Sequence, residues 1–171
     1  RDRSGYGTGG TFSGVSRVLK EQSPSTKLVI TEPENAQLVN SLITQKRNQD
    51  GSPASAHDSW NPHPIQGWTP DFIPLVLQES IDKNYFDMNI PVSGKDGIYW
   101  SHKLARNEGI ITGISGGSTF AVAMKIAEEA ADGANILCML ADTAERYLTS
   151  VLFEKIDSEM NDEEKEILNS I

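Results

Sequence analysis

A glycine-rich segment near the start of the chain combines a flexible backbone with hydroxyl side chains. Residues 4–14 contain five glycines, and Thr8 and Thr11 lie between them. Residues 15–21, which follow, carry apolar side chains at helical spacing and predict a helix. The N-terminus of a helix presents unpaired backbone N–H groups at the positive end of the helix dipole, and phosphate binds well there. The segment therefore predicts a phosphate-binding loop, with a purely structural turn as the alternative.

A dinucleotide-binding loop is another interpretation of the same glycines. Gly5, Gly7 and Gly10 have the spacing of the G-x-G-x-x-G fingerprint, and Glu32 could serve as the acid that binds a ribose. That fingerprint also requires a buried strand immediately before the loop. Residues 1–4 are too few and too highly charged to form such a strand, so the pattern favours phosphate binding without a dinucleotide.

Residues 65–74 are the second stretch with an unusual backbone. Two prolines and Gly67 lie there among apolar side chains that include Trp68 and Phe72. Two interpretations stay open. Trp68 and Phe72 could anchor a packed structural loop, or the segment could line a pocket in which Gly67 lets a ligand approach the backbone closely.

A third group of glycines and hydroxyls, residues 115–119, lies between a predicted strand at residues 110–114 and a predicted helix at residues 120–131. Residues 135–140 predict a further strand that is apolar on both faces, with Cys138 in the core and Asp142 just beyond its end. Ligands of open α/β sheets bind at the carboxyl ends of the strands, so both segments are expected on the ligand side. Helix capping alone would also explain Ser115 or Ser118.

The remaining elements complete an α/β pattern. The sequence predicts strands at residues 27–31 and 89–92, and helices at residues 35–44, at residues 94–107 and, as an amphipathic pair, at residues 149–171. Residues 45–64 predict a long surface loop, in which His57 and His63 are expected to be exposed to solvent rather than bound to a metal. We therefore predict one α/β domain over residues 1–171, built on an open, mostly parallel sheet flanked by helices.

Composition narrows the possible partners. The chain of 171 residues has a formal net charge of −9, which argues against nucleic acid or an anionic membrane surface as a partner. It has no apolar run long enough to span a membrane. Its one cysteine, Cys138, cannot form an internal disulfide, which favours a reducing compartment, cytoplasmic or organellar (plastid or mitochondrion), over secretion. No metal is expected.

Four motifs, in order, resemble those of one enzyme family. They are Gly7-Thr-Gly-Gly-Thr11, Ile65-Gln-Gly67 with Phe72-Ile-Pro74, Gly113-Ile-Ser-Gly-Gly-Ser118, and Asp142-Thr-Ala-Glu-Arg-Tyr-Leu-Thr-Ser150. Together they resemble the C-terminal half of cysteine synthase (O-acetylserine sulfhydrylase), a member of the fold-type II pyridoxal-phosphate-dependent enzymes that include cystathionine β-synthase. The resemblance covers nearly the whole chain.

The resemblance implies a cofactor, a reaction and a set of site residues. The cofactor is pyridoxal 5'-phosphate, and the reaction is a β-replacement that converts O-acetylserine and sulfide to cysteine and acetate. Ser115 corresponds to the serine that hydrogen-bonds the pyridine nitrogen, and Gln66 and Gly67 belong to the substrate-side loop. The residues that correspond to the family's phosphate loop are Gly7, Thr8, Gly9, Gly10 and Thr11.

The sequence also departs from the family pattern. The Schiff-base lysine and the loop that binds the substrate carboxylate lie N-terminal to the phosphate loop in the family, and neither is found in this sequence, so no catalytic residue is assigned. Ala141 and Ala144 replace the usual proline and glycine, and an alanine is unfavourable where a turn needs a positive φ. We expect the chain to lack the N-terminal half of the fold and to be inactive alone.

Two kinds of protein are compatible with these departures. One is the C-terminal part of a working, homo-oligomeric cysteine synthase, whose N-terminal half would be its partner. The other is a truncated, non-catalytic relative, a pseudoenzyme that serves as a structural or scaffold subunit of a larger assembly. In either case the remaining sheet is expected to expose apolar surface that something must cover.

Overall fold

A four-stranded parallel sheet forms the centre of the molecule. The computed structural model describes residues 2–157 and 159–170, and the strand order is β3-β2-β1-β4. The strands are β1 (Asp2–Gly5), β2 (Leu28–Pro33), β3 (Met88–Val92) and β4 (Leu137–Cys138). Their connections contain the helices α1 (Gly10–Gln22), α2 (Leu75–Asp82), α3 (Gly94–Glu108) and α4 (Ile114–Glu129), and α5 (Asp162–Asn169) follows the sheet. This arrangement confirms the predicted open α/β sheet flanked by helices.

Two apolar clusters cover the two faces of the sheet. Strand β2 is buried along its whole length, and its side chains alternate between the clusters as a pleated strand requires. Val29 packs with residues of α4, whereas Leu28 and Ile30 pack with Phe12 of α1 and Leu77 of α2. Such double burial explains why β2 begins with the apolar run Leu28, Val29 and Ile30, although Glu32 near its end is charged.

The strand before the glycine-rich loop is present, which corrects the prediction made from residues 1–4. Asp2–Gly5 pairs in parallel with β2 on one side and with β4 on the other. Backbone pairing on both sides holds this short segment in the sheet, and its charged composition did not reveal that pairing. Arg1 lies outside the described residues.

The predicted strand at residues 110–114 is not formed. This segment has a single isolated bridge, from Thr112 to Thr143, and the side chains of Ile110 and Ile111 are exposed. Helix α4 begins at Ile114, six residues before the predicted start, so the serines and glycines of residues 115–119 belong to the helix rather than to a turn. Two apolar β-branched residues in succession suggested a strand, but no sheet neighbour lies beside them.

The predicted helix at residues 35–44 is replaced by turns. Leu38 and Val39 are buried as that helix would require, but Leu42 has a left-handed φ of 59° and is 90% exposed. The backbone N–H groups of Val39 and Asn40 donate to the carboxylate of Glu32 instead of to helical carbonyls. A buried acceptor outside the segment therefore determines its conformation, which periodicity alone could not show.

The C-terminal third of the chain also differs from the prediction. Strand β4 contains two residues rather than six, Leu137 is 63% exposed and Cys138 is only partly buried, so the segment is not covered on both faces. Residues 149–157 form successive turns rather than a helix, with Phe153 N donating to Ser150 O. Helix α5 is confirmed and begins at a capping box between Asn161 and Glu164. Ser158 and Ile171, within the predicted helix pair, lie outside the described residues.

The two loop histidines are not the solvent-exposed residues that we predicted. His57 is 5% exposed, and its Nε2 lies 3.0 Å from the carbonyl of Ile43 while its Nδ1 accepts from the N–H of Ser59. His63 is partly buried, and its Nε2 lies 3.2 Å from the carbonyl of Thr69. Both rings thus fix the long loop to the backbone of the segments that flank it. None of the helices in the described part of the chain is long and apolar enough to cross a membrane.

Candidate functional site

One cavity lies where the strands β1 and β4 end. Its volume is about 410 Å³, and residues from four separate segments line it. All of the site residues predicted from the sequence are among them. The lining residues include Gly7, Thr8, Gly9, Gly10, Thr11, Gln66, Gly67 and Ser115.

The glycine-rich loop forms one wall of this cavity and ends at the N-terminus of α1. Gly9 precedes the helix with a left-handed φ of 84°, and its carbonyl accepts the N–H of Ser13 to begin the helical pattern. A Cβ at Gly9 would lie 2.7 Å from the Cβ of Leu77, so only glycine suits both the conformation and the space. The N–H groups of the first helical turn lack partners within the helix, which makes this wall suited to an anion.

The substrate-side loop contacts the glycine-rich loop directly. A Cβ at Gly7 would lie 2.5 Å from the carbonyl oxygen of Gly67, so the two backbones touch where both are glycine. The N–H of Thr69 donates to the carbonyl of Tyr6 over 2.7 Å. The structure combines features of both interpretations of residues 65–74. Trp68 is buried in the core, whereas Phe72 is only partly buried, and Gln66, Gly67 and Trp68 all line the cavity.

Ser115 is the cavity-lining hydroxyl of helix α4. It is 7% exposed and lies in the first turn of the helix. The next two hydroxyl residues of the helix use their hydroxyls within it. Ser118 donates to the carbonyl of Ile114, and Thr119 donates to the carbonyl of Ser115. Capping does not explain Ser115, since α4 has no side-chain capping hydrogen bond. A hydroxyl at this place can donate to or accept from a ligand.

Asp142 and Tyr147 complete the wall next to Ser115. The phenol of Tyr147 donates to Oδ2 of Asp142. Burial, this hydrogen bond and the charge of Asp142 together raise the pKa of Tyr147 from 10.0 to about 12. Tyr147 is therefore a neutral hydrogen-bond donor near pH 7.

Ala144 does not carry the strain that its replacement of glycine suggested. It begins a 3-10 helix, Ala144–Tyr147, and is buried in the core with 2% exposure. Among the described residues other than glycine, positive φ angles occur at Leu42, Thr69 and Asn84. An alanine at this position therefore fits the backbone.

Several residues of the cavity wall were not among the predicted site residues, although residues 142–147 were expected on the ligand side of the sheet. Tyr6, Trp68, Met139, Asp142 and Tyr147 also line it. The position of Asp142 at the carboxyl end of a predicted strand was the one available signal, because ligands of parallel sheets bind at that edge. Glu32, the candidate ribose-binding acid, is fully buried and accepts four hydrogen bonds from the protein, so it is not placed to bind a ribose.

The fold places this cavity at the carboxyl edge of a parallel sheet, against a helix N-terminus. Residues 4–142 match the family model of pyridoxal-phosphate dependent enzymes. The chain belongs to this family, whose members depend on pyridoxal phosphate.

Relatives and solved structures agree with this assignment. The chain is 38% identical to the O-ureido-L-serine synthase of Streptomyces lavendulae over 159 residues, which cover 93% of this chain and 43% of that protein. It is 33% identical to the cysteine synthase of Helicobacter pylori over 88% of this chain and 42% of that protein. The crystal structure of an O-ureido-L-serine-bound lysine-to-alanine mutant of O-ureido-L-serine synthase superposes with a TM-score of 0.79 at 36% identity, over 98% of this chain and 46% of that one. The chain thus spans less than half the length of these relatives.

The residues around the cavity fit pyridoxal phosphate. The glycine-lined wall at the start of α1 could hold the phosphate, since side chains there would collide with Leu77 and Gly67. The hydroxyl of Ser115, on the wall formed by α4, could bind the ring nitrogen.

Proposed function

We propose that this chain is the cofactor-binding, C-terminal portion of a pyridoxal-phosphate-dependent enzyme that performs β-replacement on an O-activated serine. One observation carries the proposal: a single cavity brings together the glycine-rich loop, the loop at Gln66 and Gly67, and Ser115. These are the segments through which the chain resembles cysteine synthase. When bound, the cofactor supplies an electron sink for the α-carbon of an amino acid.

Each cavity residue then has a distinct role. Residues 7–11 bind the phosphate through backbone N–H groups and the hydroxyls of Thr8 and Thr11. Ser115 would hold the ring nitrogen through its hydroxyl and, as a neutral group, would leave that nitrogen largely unprotonated. Gln66 and Gly67 lie at the substrate. No lysine of this chain corresponds to the family's Schiff-base lysine, so catalysis would require residues from the rest of the fold.

The names of the relatives indicate the substrate class. One is a cysteine synthase, and another both makes and binds O-ureido-L-serine. In cysteine synthesis from O-acetylserine, the bond from the β-carbon to the acetate oxygen breaks and a bond from the β-carbon to the sulfur of sulfide forms. The products are cysteine and acetate. We propose O-acetylserine as the amino-acid donor, with sulfide as the nucleophile.

The cofactor site is tested by titrating the purified chain with pyridoxal phosphate and following absorbance and calorimetric heat. We expect saturable binding, and about fivefold weaker binding for Ser115→Ala, because a hydrogen bond contributes about 1 kcal/mol. Ser118→Ala is the matched control, since its hydroxyl bonds a helix carbonyl instead of lining the cavity. Equal affinities for the two variants would contradict the role of Ser115.

A second measurement tests the assignment of the reaction. The chain is fused to the N-terminal portion of O-ureido-L-serine synthase and assayed with O-acetylserine and sulfide, with hydroxyurea as a competing nucleophile. Formation of cysteine supports the proposed reaction, and formation of O-ureidoserine alone assigns the other nucleophile. A hybrid that binds cofactor but forms neither product favours the non-catalytic scaffold role. Borohydride trapping of the cofactor on one lysine of the unfused chain would contradict the expectation that no lysine of this chain holds the cofactor.

A further inference from the structure

A fully buried carboxylate lies behind the glycine-rich loop, outside the cavity. Glu32, at the end of β2, has no exposed surface. Its Oε1 accepts the phenol of Tyr6 over 2.6 Å and the N–H of Val39 over 2.8 Å. Its Oε2 accepts the N–H of Asn40 over 3.1 Å and the side-chain amide of Asn89 over 2.7 Å. A buried charge is tolerated when it is hydrogen-bonded in this way, and each donor is in turn held in place.

Tyr6 connects this carboxylate to the cavity. It lies between the end of β1 and Gly7, is 1% exposed and contributes to the cavity wall. Burial and the neighbouring charge of Glu32 raise the pKa of Tyr6 far above its ordinary value, so the phenol keeps its proton and remains a donor. The hydrogen bond to Glu32 therefore fixes Tyr6, the residue immediately before the phosphate loop, from inside the sheet.

The backbone of Tyr6 holds the substrate-side loop as well. Its carbonyl accepts the N–H of Thr69, a residue with a left-handed φ of 37°. A β-branched residue in that conformation is strained and persists only where its surroundings fix it. The carbonyl of Thr69 is also held, because Trp60 Nε1 donates to it over 3.0 Å and His63 Nε2 lies 3.2 Å away.

We infer that Tyr6 is a positioning residue that sets the distance between the phosphate loop (residues 7–11) and the substrate-side loop (residues 66–69), with Glu32 as its buried support. This inference rests on the proposed function for the identity of the ligand. The connection of the two loops through Tyr6 depends only on the hydrogen bonds of Tyr6 and Glu32, whatever the ligand is. Because both loops line one cavity, a shift of Tyr6 alters both walls together.

Two variants of the whole chain test the inference, Tyr6→Phe and Glu32→Gln. Tyr6→Phe keeps the ring and removes the donor, whereas Glu32→Gln places an amide donor among four donors that need an acceptor. We expect each to weaken binding of inorganic phosphate and of pyridoxal phosphate about tenfold, because a hydrogen bond to a charged group is lost. Amide exchange at Thr69 should become faster in both, although residue 69 is not changed. Leu104→Ala, in the core of α3, is the control for general destabilisation.

A double variant separates positioning from structural loss. If Tyr6 acts through Glu32, the combined variant binds phosphate no more weakly than Glu32→Gln alone, because the two effects are coupled. Additive losses, or unfolding free energies that fall with unchanged affinity and unchanged exchange at Thr69, would overturn the inference. If the unmodified chain binds neither phosphate nor the cofactor, the proposed function fails, and the exchange of Thr69 still decides whether Tyr6 links the loops.

Discussion

At the scale of single residues, the cavity wall contains a tyrosine with a raised pKa, Tyr147. Burial, the hydrogen bond to Asp142 and the charge of Asp142 raise the pKa of Tyr147 to about 12. The folded chain therefore keeps this proton at a pH where the unfolded chain has lost it. The corresponding stability is fully present below the unfolded value of 10.0 and is lost as the pH rises toward 12.

Asp142→Asn tests this assignment. The variant removes the charge but keeps an oxygen that can accept the phenol, so the pKa of Tyr147 should fall to a value between those of the free and the native residue. NMR titration of the tyrosine ring carbons measures it directly, with Tyr147→Phe identifying the signal. An unchanged pKa in Asp142→Asn would show that the charge of Asp142 does not contribute to the shift.

At the scale of elements, the contact between the two cavity loops is a close approach of two backbones. A Cβ at residue 7 would lie 2.5 Å from the carbonyl oxygen of Gly67. Gly7→Ala should therefore push the loops apart, lower the free energy of unfolding by about 1–3 kcal/mol as overpacking does, and weaken phosphate binding. Urea unfolding and phosphate titration measure the two effects.

Gly14→Ala is the matched control for that variant. Gly14 lies inside α1, and a Cβ there would meet nothing within 4 Å. The substitution should raise the free energy of unfolding by about 1 kcal/mol, because alanine is the better helix former. If Gly7→Ala behaved like Gly14→Ala, the contact between the loops would not be a constraint.

The elements also show how far the sequence determined the fold. Helices α1 and α3 and strands β2 and β3 could be predicted because apolar periodicity and glycine punctuation agree within each segment. Strand β1 could not, because pairing with β2 and β4 makes it a strand. Helix α2 was not predicted either, since Pro74 and the short length of eight residues conceal its start.

The candidate site was predicted to a similar extent. The sequence motifs at residues 7–11, 66–67 and 115 do meet at one cavity. Tyr6 and Trp68 could not be assigned to its wall, because packing decides which aromatic side chains face a cavity. The helix predicted at residues 35–44 was wrong for a related reason. The carboxylate that accepts hydrogen bonds from this segment, that of Glu32, belongs to another element.

At the scale of the whole molecule, exposed apolar side chains are prominent in the segments around β4. Leu137 and Leu148 are each 63% exposed, and Ile111 is 59% exposed. The bridge between Thr112 and Thr143 joins two of these segments. The chain spans less than half the length of the relatives that it matches. Exposed apolar side chains favour association where they lie together.

We therefore expect the isolated chain to associate as its concentration rises and to bind a hydrophobic dye such as ANS. Leu137→Lys should reduce both effects, because a charged side chain opposes burial of the surface around it. Leu42→Lys is the matched control, since Leu42 is even more exposed, at 90%, but lies in the turns after β2. Sedimentation velocity over a range of concentrations measures the association. Equal loss of association in both variants would trace it to net charge, whereas loss in Leu137→Lys alone locates the associating surface at β4.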